Sequence, residues 1–595
     1  MKKIIKSIVC AVLSIVMVLS CTSVAFAKND VTPVIVVHGM GAMPLYENPG
    51  KENQKEISNF DIGSLFTTNN KALHTVLDAM HGENVDPNTF LDQAKGLLSG
   101  FNKQVCDENG NSLYDVGIIS NWSDSMANHQ DYLDSRDSAE PAITKQICDQ
   151  IGAENVYAFN YDWRLDACEN GEKLNKFIDN VKAQTGKSKV TLIGGSEGTI
   201  VISAYVDAHK TENELEKVVY LYGAINGVSV ANILCKDLAF NKDDLCKYLA
   251  YLTTTYNNKS FDFNRLTWLA TSMEETINNL CNLINKILAD PALCVKFYNE
   301  VLRPCLGTIP AFWEFLPYDN FDKAVYEMSS IGFLDKNSGL YTKISNYHKV
   351  QGRLKSNTEY LKDNGVDIAV VAGWGCPAIG ITSQWKNQSD ILIDTKYTSL
   401  GATTADFGAA LPSSETKHNS YASLDETIDA STCWFKDNTW FIYGVQHMDF
   451  WYGSDACKFV ATIVTSTVPT NIKSIKKLTG NSQFIKLDKN QAITKLTGNN
   501  SVKAAIKSVK AGKKKATVNW KKKSKIDGYQ IQYSTSQDFS KGNKSVTVAK
   551  AKTTKKAIKK LKNKKTYYVR IRTYKTVANQ KVYSDWSNAK QVKTK

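Results

Sequence analysis

The chain has 595 residues, long enough for two to four domains, and its 43% hydrophobic composition allows a sizeable core. The overall charge of +14 is unevenly spread: residues 501–595 hold 28 Lys or Arg against Asp527, Asp538 and Asp585, a net +25, which leaves −11 for residues 1–500. That split suggests a basic tail that attracts an anionic polymer or an anionic lipid surface, or one that is merely solvated.

The first 27 residues have the pattern of a secretory signal. Lys2, Lys3 and Lys6 precede an apolar run, and Ala25-Phe26-Ala27 closes it as a small-x-small cleavage site. A membrane anchor is the alternative, but the apolar run is short for a span. Lipid modification of Cys21 fits poorly with Leu19 two residues before it. No later stretch is long and apolar enough to cross a bilayer. The expected product is secreted, with cell-surface association as a further option, and export argues against a nucleic-acid partner. Of the 13 cysteines, Cys10 and Cys21 lie in this leader and eleven remain. No Cys-x-x-Cys or His-Glu-x-x-His motif suggests a metal, and no cofactor motif is present. Disulfides are permitted by the compartment, with Cys433 and Cys457 the favoured pair.

The body is expected over residues 28–466. Buried strands are predicted in TPVIVVHGMGA (32–42), NVYAFNYDWRLD (155–166), KVTLIGGSEG (189–198), KVVYLYGAING (217–227) and VDIAVVAGWG (366–375). Each ends in glycine or polar residues, and helical patterns lie between most of them. Alternating strands and helices indicate an α/β fold with a mostly parallel sheet. Ligand chemistry in such sheets collects at the carboxyl ends of the strands, where all these polar ends fall. Between the fourth and fifth strands, residues of about 228–345 are predicted to form a helical cap. There Ile277, Leu280, Cys281, Ile284, Ile287 and Leu288 recur at helical spacing, and Leu266, Trp268, Leu269, Phe312, Trp313, Phe315 and Leu316 add bulk. They form either the cap's own core or the lining of an acyl-chain groove.

Gly194-Gly195-Ser196-Glu197-Gly198 has the Gly-x-Ser-x-Gly form. The bare pentapeptide is weak evidence, but a strand before it and a helix after it are the setting of a nucleophile elbow. Ser196 would then be the nucleophile. The N–H of Glu197 and that of Met40, after His38-Gly39, would be the oxyanion donors. A serine needs a base, and chain order in this architecture places the acid and then the histidine after the serine. Of the eight histidines, His447, just past the strand-like WFIYGV, is favoured over His418. Asp390, Asp394 and Asp406 are available as the acid.

The body resembles the lecithin:cholesterol acyltransferase-like family of α/β-hydrolases. The segments that carry the resemblance are PVIVVHGMGA, Tyr161-Asp162-Trp163-Arg164, GGSEG and VQHMDF, with GTIPAFWEFLP (307–317) similar to the family's cap segment. The family's acid lies in a Gly-Asp-Gly-Thr-Val-Pro loop, which TADFGAALPSS matches only at Asp406 and loosely around Pro412; Asp406 is therefore the expected acid. Gly195 and Glu197 depart from the family's usual His and Met. The resemblance implies an α/β-hydrolase sheet with helices on both faces and a helical cap. It further implies a secreted serine esterase, lipase-like or acyl-transferring, whose substrate is a lipid or other ester. Trp163 becomes the candidate acyl contact, and Arg164 a candidate partner of Asp162. A peptidase, a wall-targeted polysaccharide esterase and an inactive adhesin are the rival readings.

Beyond the body, IKKLTGN (475–481) and ITKLTGN (493–499) repeat within residues 467–500, expected as a linker or short decorative motif. Residues 501–595 alternate short β-rich runs with turns, the pattern of a small all-β immunoglobulin-like sandwich. Trp520, Gly528, Tyr529, Ile531, Tyr533, Leu561, Tyr567, Val569 and Ile571 resemble a fibronectin type III module.

Overall fold

A computed structural model describes residues 31–57, 78, 85–98, 103–119, 122–135, 139–255, 274–447, 454–488, 490–496, 498 and 500–595. The expected leader, Leu266, Trp268, Leu269 and Met448-Asp449-Phe450 lie outside the described residues. The chain divides into two compact units: residues 1–400 with 437–493, and residues 401–436 with 494–595.

The first unit is built on an eight-stranded sheet. In chain order its strands are β1 (Val34–Val37), β2 (Val156–Phe159), β3 (Val190–Gly195), β4 (Leu215–Leu221), β5 (Asp367–Trp374), β6 (Thr439–Tyr443), β7 (Phe484–Leu487) and β8 (Ile493–Lys495). Spatially they run β2-β1-β3-β4-β5-β6-β7-β8. Every pair from β2 to β7 is parallel. β8 follows β7 after only five residues, a connection short enough for an antiparallel pair alone, so the sheet is mixed. β1 and β2 are buried along their whole length, as near-continuous Val/Ile/Ala/Phe runs should be when helices cover both faces.

One face is covered by α1 (Ala139–Ile151) and α7 (Asp455–Thr465): Ile143, Ile147, Phe459, Val460 and Ile463 share a cluster with Val36, Ile193, Val219, Val371 and Ile442. Helices α2 (Ala167–Thr185), α3 (Gly198–His209) and α6 (Gly339–Asp363) pack together elsewhere on the sheet. α2 and α3 approach closely because Gly171 has no side chain; a Cβ there would lie 2.8 Å from the backbone nitrogen of Tyr205. The chain leaves β1 for the edge strand β2, then returns past β1 to β3. That reversal opens the crevice between the ends of β1 and β3, where such sheets hold their chemistry.

Above those ends lies a second apolar cluster, which joins Ala167 and Ile200 to Trp313, Leu316, Phe321, Met328, Phe333 and Tyr347. The predicted helical stripe forms α4 (Glu274–Ala289), but not as one interface. Ile277 and Cys281 pack with Phe240, Leu245 and Cys246, whereas Ile287 packs with Leu91 and Val301. Between α4 and α6, α5 (Pro310–Glu314) lies within GTIPAFWEFLP. Among the described residues no helix is long and apolar enough to cross a membrane.

The segment expected as a linker carries a helix (Ile472–Thr479) and supplies β7 to the main sheet. Its two repeats fold differently. The first ends that helix, with Gly480 as a left-handed cap at φ 79°; the second begins with β8. All eleven cysteines carry free thiols, so Cys433 and Cys457 are not bonded; Cys457 instead lies 3.5 Å from the Ser454 hydroxyl.

The second unit is a β-sandwich. One sheet is β9 (Ile506–Gly512), β10 (Lys515–Trp520) and β13 (Lys555–Lys559). The other is β12 (Lys544–Val548), β11 (Gly528–Ser534), β14 (Thr566–Val577) and β15 (Gln580–Tyr583), with β16 (Lys590–Lys593) also on β14. Trp520, Tyr529, Ile531, Leu561, Tyr567, Val569 and Ile571 form its core, and Tyr533 packs at its margin, as the alternation predicts. Residues 401–436 belong to this unit: Ala422 and Leu424 pack on Val577 and Val582, Lys417 pairs with Asp527 at 2.6 Å, and Glu426 pairs with Lys575.

Candidate active site

Ser196 stands where β3 becomes α3. Its φ is 51°, a left-handed conformation that costs a non-glycine residue on the order of 1 kcal/mol or more. Surrounding hydrogen bonds hold it there. The Ser196 N–H donates to the Leu221 carbonyl (3.0 Å), and its own carbonyl accepts from the Thr199 hydroxyl (2.6 Å) and from the Ala224 N–H (3.1 Å). Gly194 and Gly198 leave no room for a side chain: a Cβ on Gly194 would sit 2.7 Å from the Ile202 side chain, and one on Gly198 would run into the Val37 carbonyl and lie 2.5 Å from that of His38. α3 is thereby seated directly on the end of β1.

His447 follows β6 and is 8% exposed. Its Nε2 lies 3.0 Å from Ser196 Oγ, and its Nδ1 lies 2.7 Å from Asp390 Oδ2. Asp390 is fully buried, and its Oδ1 accepts the N–H groups of Leu392 (3.1 Å) and Ile393 (2.7 Å). The Asp390 carbonyl in turn accepts the His447 N–H at 2.8 Å. Two of the three expected residues therefore meet, and the acid differs. Asp390 occupies the place expected for Asp406, which belongs to the other unit. The physical reason is a small ribbon after β5: Cys376–Pro377 pairs with Gln388–Ser389 and carries Asp390 back to the strand end. Asp394 is buried too, but it serves the fold by accepting from Ser229 N (2.9 Å) and Asn387 (2.5 Å). His418 lies in the second unit, near Asn579.

In the structure two local features mark Asp390. Gly373 interrupts a buried strand, and a Cβ there would lie 2.7 Å from Asp390 Cβ; the glycine admits the carboxylate. Ile391 has φ 81°, rare for a β-branched residue, and backbone strain of this kind concentrates at functional sites.

The segment Tyr161–Arg164 braces the loop after β1. The Tyr161 hydroxyl donates to the His38 carbonyl at 2.7 Å. Arg164 is fully buried and grips Asp162 with two bonds, at 3.0 and 2.6 Å. It also donates to the carbonyls of Gln104 and Val116 and to the Ser112 hydroxyl, tying residues 104–116 to the site. Trp163 is buried, and Met40 packs against the cap cluster. Among the described residues the N–H groups of Met40 and Glu197 donate to no protein acceptor.

Glu197 is the unusual member. Its side chain is buried, and desolvation followed by the nearby Asp162 pushes its carboxyl well above the usual range. Glu314, on α5, is raised in the same way by burial, with Asp166 and Glu197 adding to it, although it accepts the Ala167 N–H at 3.1 Å. Burial thus shifts both carboxyls towards the protonated form and works against negative charge at the elbow.

The chain was also compared with known proteins. The fibronectin type III domain family matches residues 504–590, and the C-terminal module is such a domain. No curated protein matches the chain. Solved structures similar to part of it include the chicken CNTN1 FN1-FN3 domains (18% identity, 17% of this chain and 33% of that one, TM-score 0.14). A structure described as a myokine shares 17% identity over 16% of this chain and 98% of its own, with a TM-score of 0.13. A β-1,2-glucanase from Parabacteroides distasonis shares 16% identity over 16% of this chain and 13% of its own, with a TM-score of 0.14. The chain thus spans a third of the first of these, and TM-scores this low carry no argument about the body.

Proposed function

We propose that this chain is an exported serine ester hydrolase or acyltransferase of the α/β-hydrolase type, related to the lecithin:cholesterol acyltransferase-like proteins, and that it acts on lipid esters. The observation that carries this reading is the continuous chain of hydrogen bonds from Ser196 through His447 to Asp390, at the carboxyl ends of parallel strands. Ser196 Oγ attacks the ester carbonyl as His447 Nε2 takes its proton. The Asp390 carboxylate holds the Nδ1–H tautomer and stabilises the imidazolium. The N–H groups of Met40 and Glu197 face the oxyanion of the tetrahedral intermediate. Collapse expels the alcohol with a proton returned by His447, and water or a second alcohol releases the acyl group by the same steps in reverse. The apolar cluster that includes Trp313, Leu316 and Phe321 supports an acyl-chain substrate, with Trp163 as the proposed contact.

The wall-targeted esterase is the second reading, favoured by the +25 charge of residues 501–595. In it the C-terminal module delivers the enzyme to an anionic polymer. An intact relay weighs against the inactive adhesin. Turnover of a p-nitrophenyl ester series from acetyl to palmitoyl, with Ser196→Ala alongside and fluorophosphonate labelling of Ser196, tests the proposal. Long-chain preference supports the lipase reading, and short-chain preference supports the wall esterase. No turnover and no labelling would defeat both.

A further inference from the structure

The outer face of the larger sheet of the C-terminal module carries two arginines held by both hydrogen bonds and aromatic rings. Val569, Ile571 and Thr573 of β14 point into the sandwich, so Arg570 and Arg572 stand side by side on the outer face, about 7 Å apart along the strand. Directly opposite on β11 are Gln532 and Gln530. Each glutamine Oε1 accepts the Nε–H of the arginine across from it, both at 2.8 Å. Aromatic rings enclose the guanidiniums. That of Arg570 lies 4.1 Å from the Phe539 ring and 4.7 Å from Trp586; that of Arg572 lies 4.2 Å from Trp586 and 3.8 Å from Tyr583.

No carboxylate among the described residues pairs with either guanidinium, and the module's three acids are engaged elsewhere. Asp527 binds Lys417 and the Thr576 N–H, Asp585 binds Lys503, and Asp538 accepts from Ser536 and the Ser540 N–H. Two neighbouring cations are therefore partly desolvated and stiffened without a counter-ion. Burial disfavours the charge on each, and Arg570 adds to the burden on Arg572. With Nε occupied and rings against the guanidinium planes, the Nη–H edges remain as a fixed fork that matches oxyanions bidentately. Two such forks about 7 Å apart match a chain whose anions recur at that interval.

We infer that Arg570 and Arg572, with Trp586 shared between them, form the binding site for a linear phosphodiester polymer, one phosphate to each guanidinium. The inference rests on the reading of the module as a polyanion binder and names its site and ligand chemistry. Lysines on the other sheet contribute only a diffuse field, strong at low salt and screened by higher salt.

The test uses the full chain and a soluble poly(glycerol phosphate) as probe, with binding followed by titration calorimetry at near-physiological salt. Heparin and polygalacturonate serve as sulfate and carboxylate polyanions. Arg570→Gln with Arg572→Gln should weaken phosphodiester binding at least tenfold, whereas Lys555→Gln with Lys556→Gln, which removes the same charge from the other sheet, should change it less than threefold. Arg570→Lys with Arg572→Lys keeps the charge and loses the fork, and should also weaken binding several-fold; thermal melts establish that each variant is folded. Equal losses for the arginine and lysine-to-glutamine pairs would overturn the site while leaving the module a polyanion binder, as would full binding by the arginine-to-lysine pair. Wild-type binding to heparin or polygalacturonate but not to the phosphodiester would overturn the ligand. No binding to any of the three would defeat the underlying reading itself.

Discussion

Replacing Asp390 by Asn tests the relay at its least obvious member. The substitution keeps the volume, and the consequence follows from the hydrogen bonds. Oδ1 accepts two backbone N–H groups, from Leu392 and Ile393. An asparagine must keep its carbonyl oxygen there, because an amide NH2 facing two donors would be left unpaired. The NH2 is thus forced into the Oδ2 position, 2.7 Å from His447 Nδ1, where it donates. The imidazole must then accept at Nδ1 and carry its proton on Nε2, which faces Ser196 Oγ and can no longer take the serine's proton. The His447 N–H bond to the residue 390 carbonyl is untouched, so the ring stays in place in the wrong tautomer. A wrong-tautomer histidine costs about 10⁴ in kcat, about 5.4 kcal/mol of transition-state stabilisation. The assay is kcat and KM on a soluble p-nitrophenyl ester, with Asp406→Asn as the comparison. KM should change little, kcat should fall by about four decades in Asp390→Asn, and Asp406→Asn should stay within a few-fold of wild type. An Asp390→Asn enzyme within tenfold of wild type, or a collapse in Asp406→Asn, would refute the reasoning.

Ser196→Ala should remove about a millionfold of turnover, since relay members act as a unit. Ser196→Gly should be more stable than Ser196→Ala by on the order of 1 kcal/mol in urea unfolding, because only glycine occupies a φ of 51° without strain. Gly198→Ala places a methyl against the carbonyls of Val37 and His38 and should cost at least about 10² in kcat, with a lowered melting temperature; an unchanged kcat would sink the claim that this contact seats α3, and with it Ser196, on the end of β1. Glu197→Gln tests the buried acid through the pH dependence of stability. A carboxyl raised on folding contributes most below its unfolded pKa, near 4.5, and stability is lost as pH rises from there toward the folded value, at about 1.4 kcal/mol per unit for a fully independent group. The glutamine variant lacks that slope, so its melting temperature should gain on the wild type from about pH 5 to pH 8; a difference that stays constant with pH would contradict a buried neutral acid.

What was legible in the sequence was whatever a local constraint dictates. Ser196 could be found because a strained strand-to-helix turn demands glycines beside it, and His447 because the loop after a late strand is short. Buried strands could be read as continuous apolar runs. The sandwich could be read because the alternation at Tyr529–Tyr533 and Tyr567–Ile571 divides its faces. Asp390 was hidden, since fifteen residues separate it from the end of β5 and only the ribbon between them brings it back. The departure of residues 401–436 from the body was hidden for the same reason: Ala422 and Leu424 find Val577 and Val582, about 150 residues downstream. In the KLTGN repeat, Lys477–Gly480 close a helix in the first copy, whereas Lys495 ends a strand in the second. Their surroundings, and not their shared residues, decide the conformation.

The departures of the elbow from the family proposed above have a common physical basis. The site is assembled largely by backbone: the Ser196 carbonyl is tied to Thr199 and Ala224, the His38 carbonyl to Tyr161, and the end of β1 to Gly198. Side-chain identity matters at an elbow position only where space or polarity is already committed. Gly194 and Gly198 are enclosed, so no side chain fits at either. At Gly195, where the family has His, an added Cβ would meet nothing within 4 Å, so that position is free to differ. Glu197 replaces Met within a buried site, which would ordinarily bring a charge beside the developing oxyanion. Desolvation raises its carboxyl pKa and so disfavours that charge, while its N–H stays free for the proposed oxyanion role. Both departures thus fall at positions where, in the proposed mechanism, the backbone performs the chemistry and the side chain is either unconstrained or has its charge disfavoured by burial.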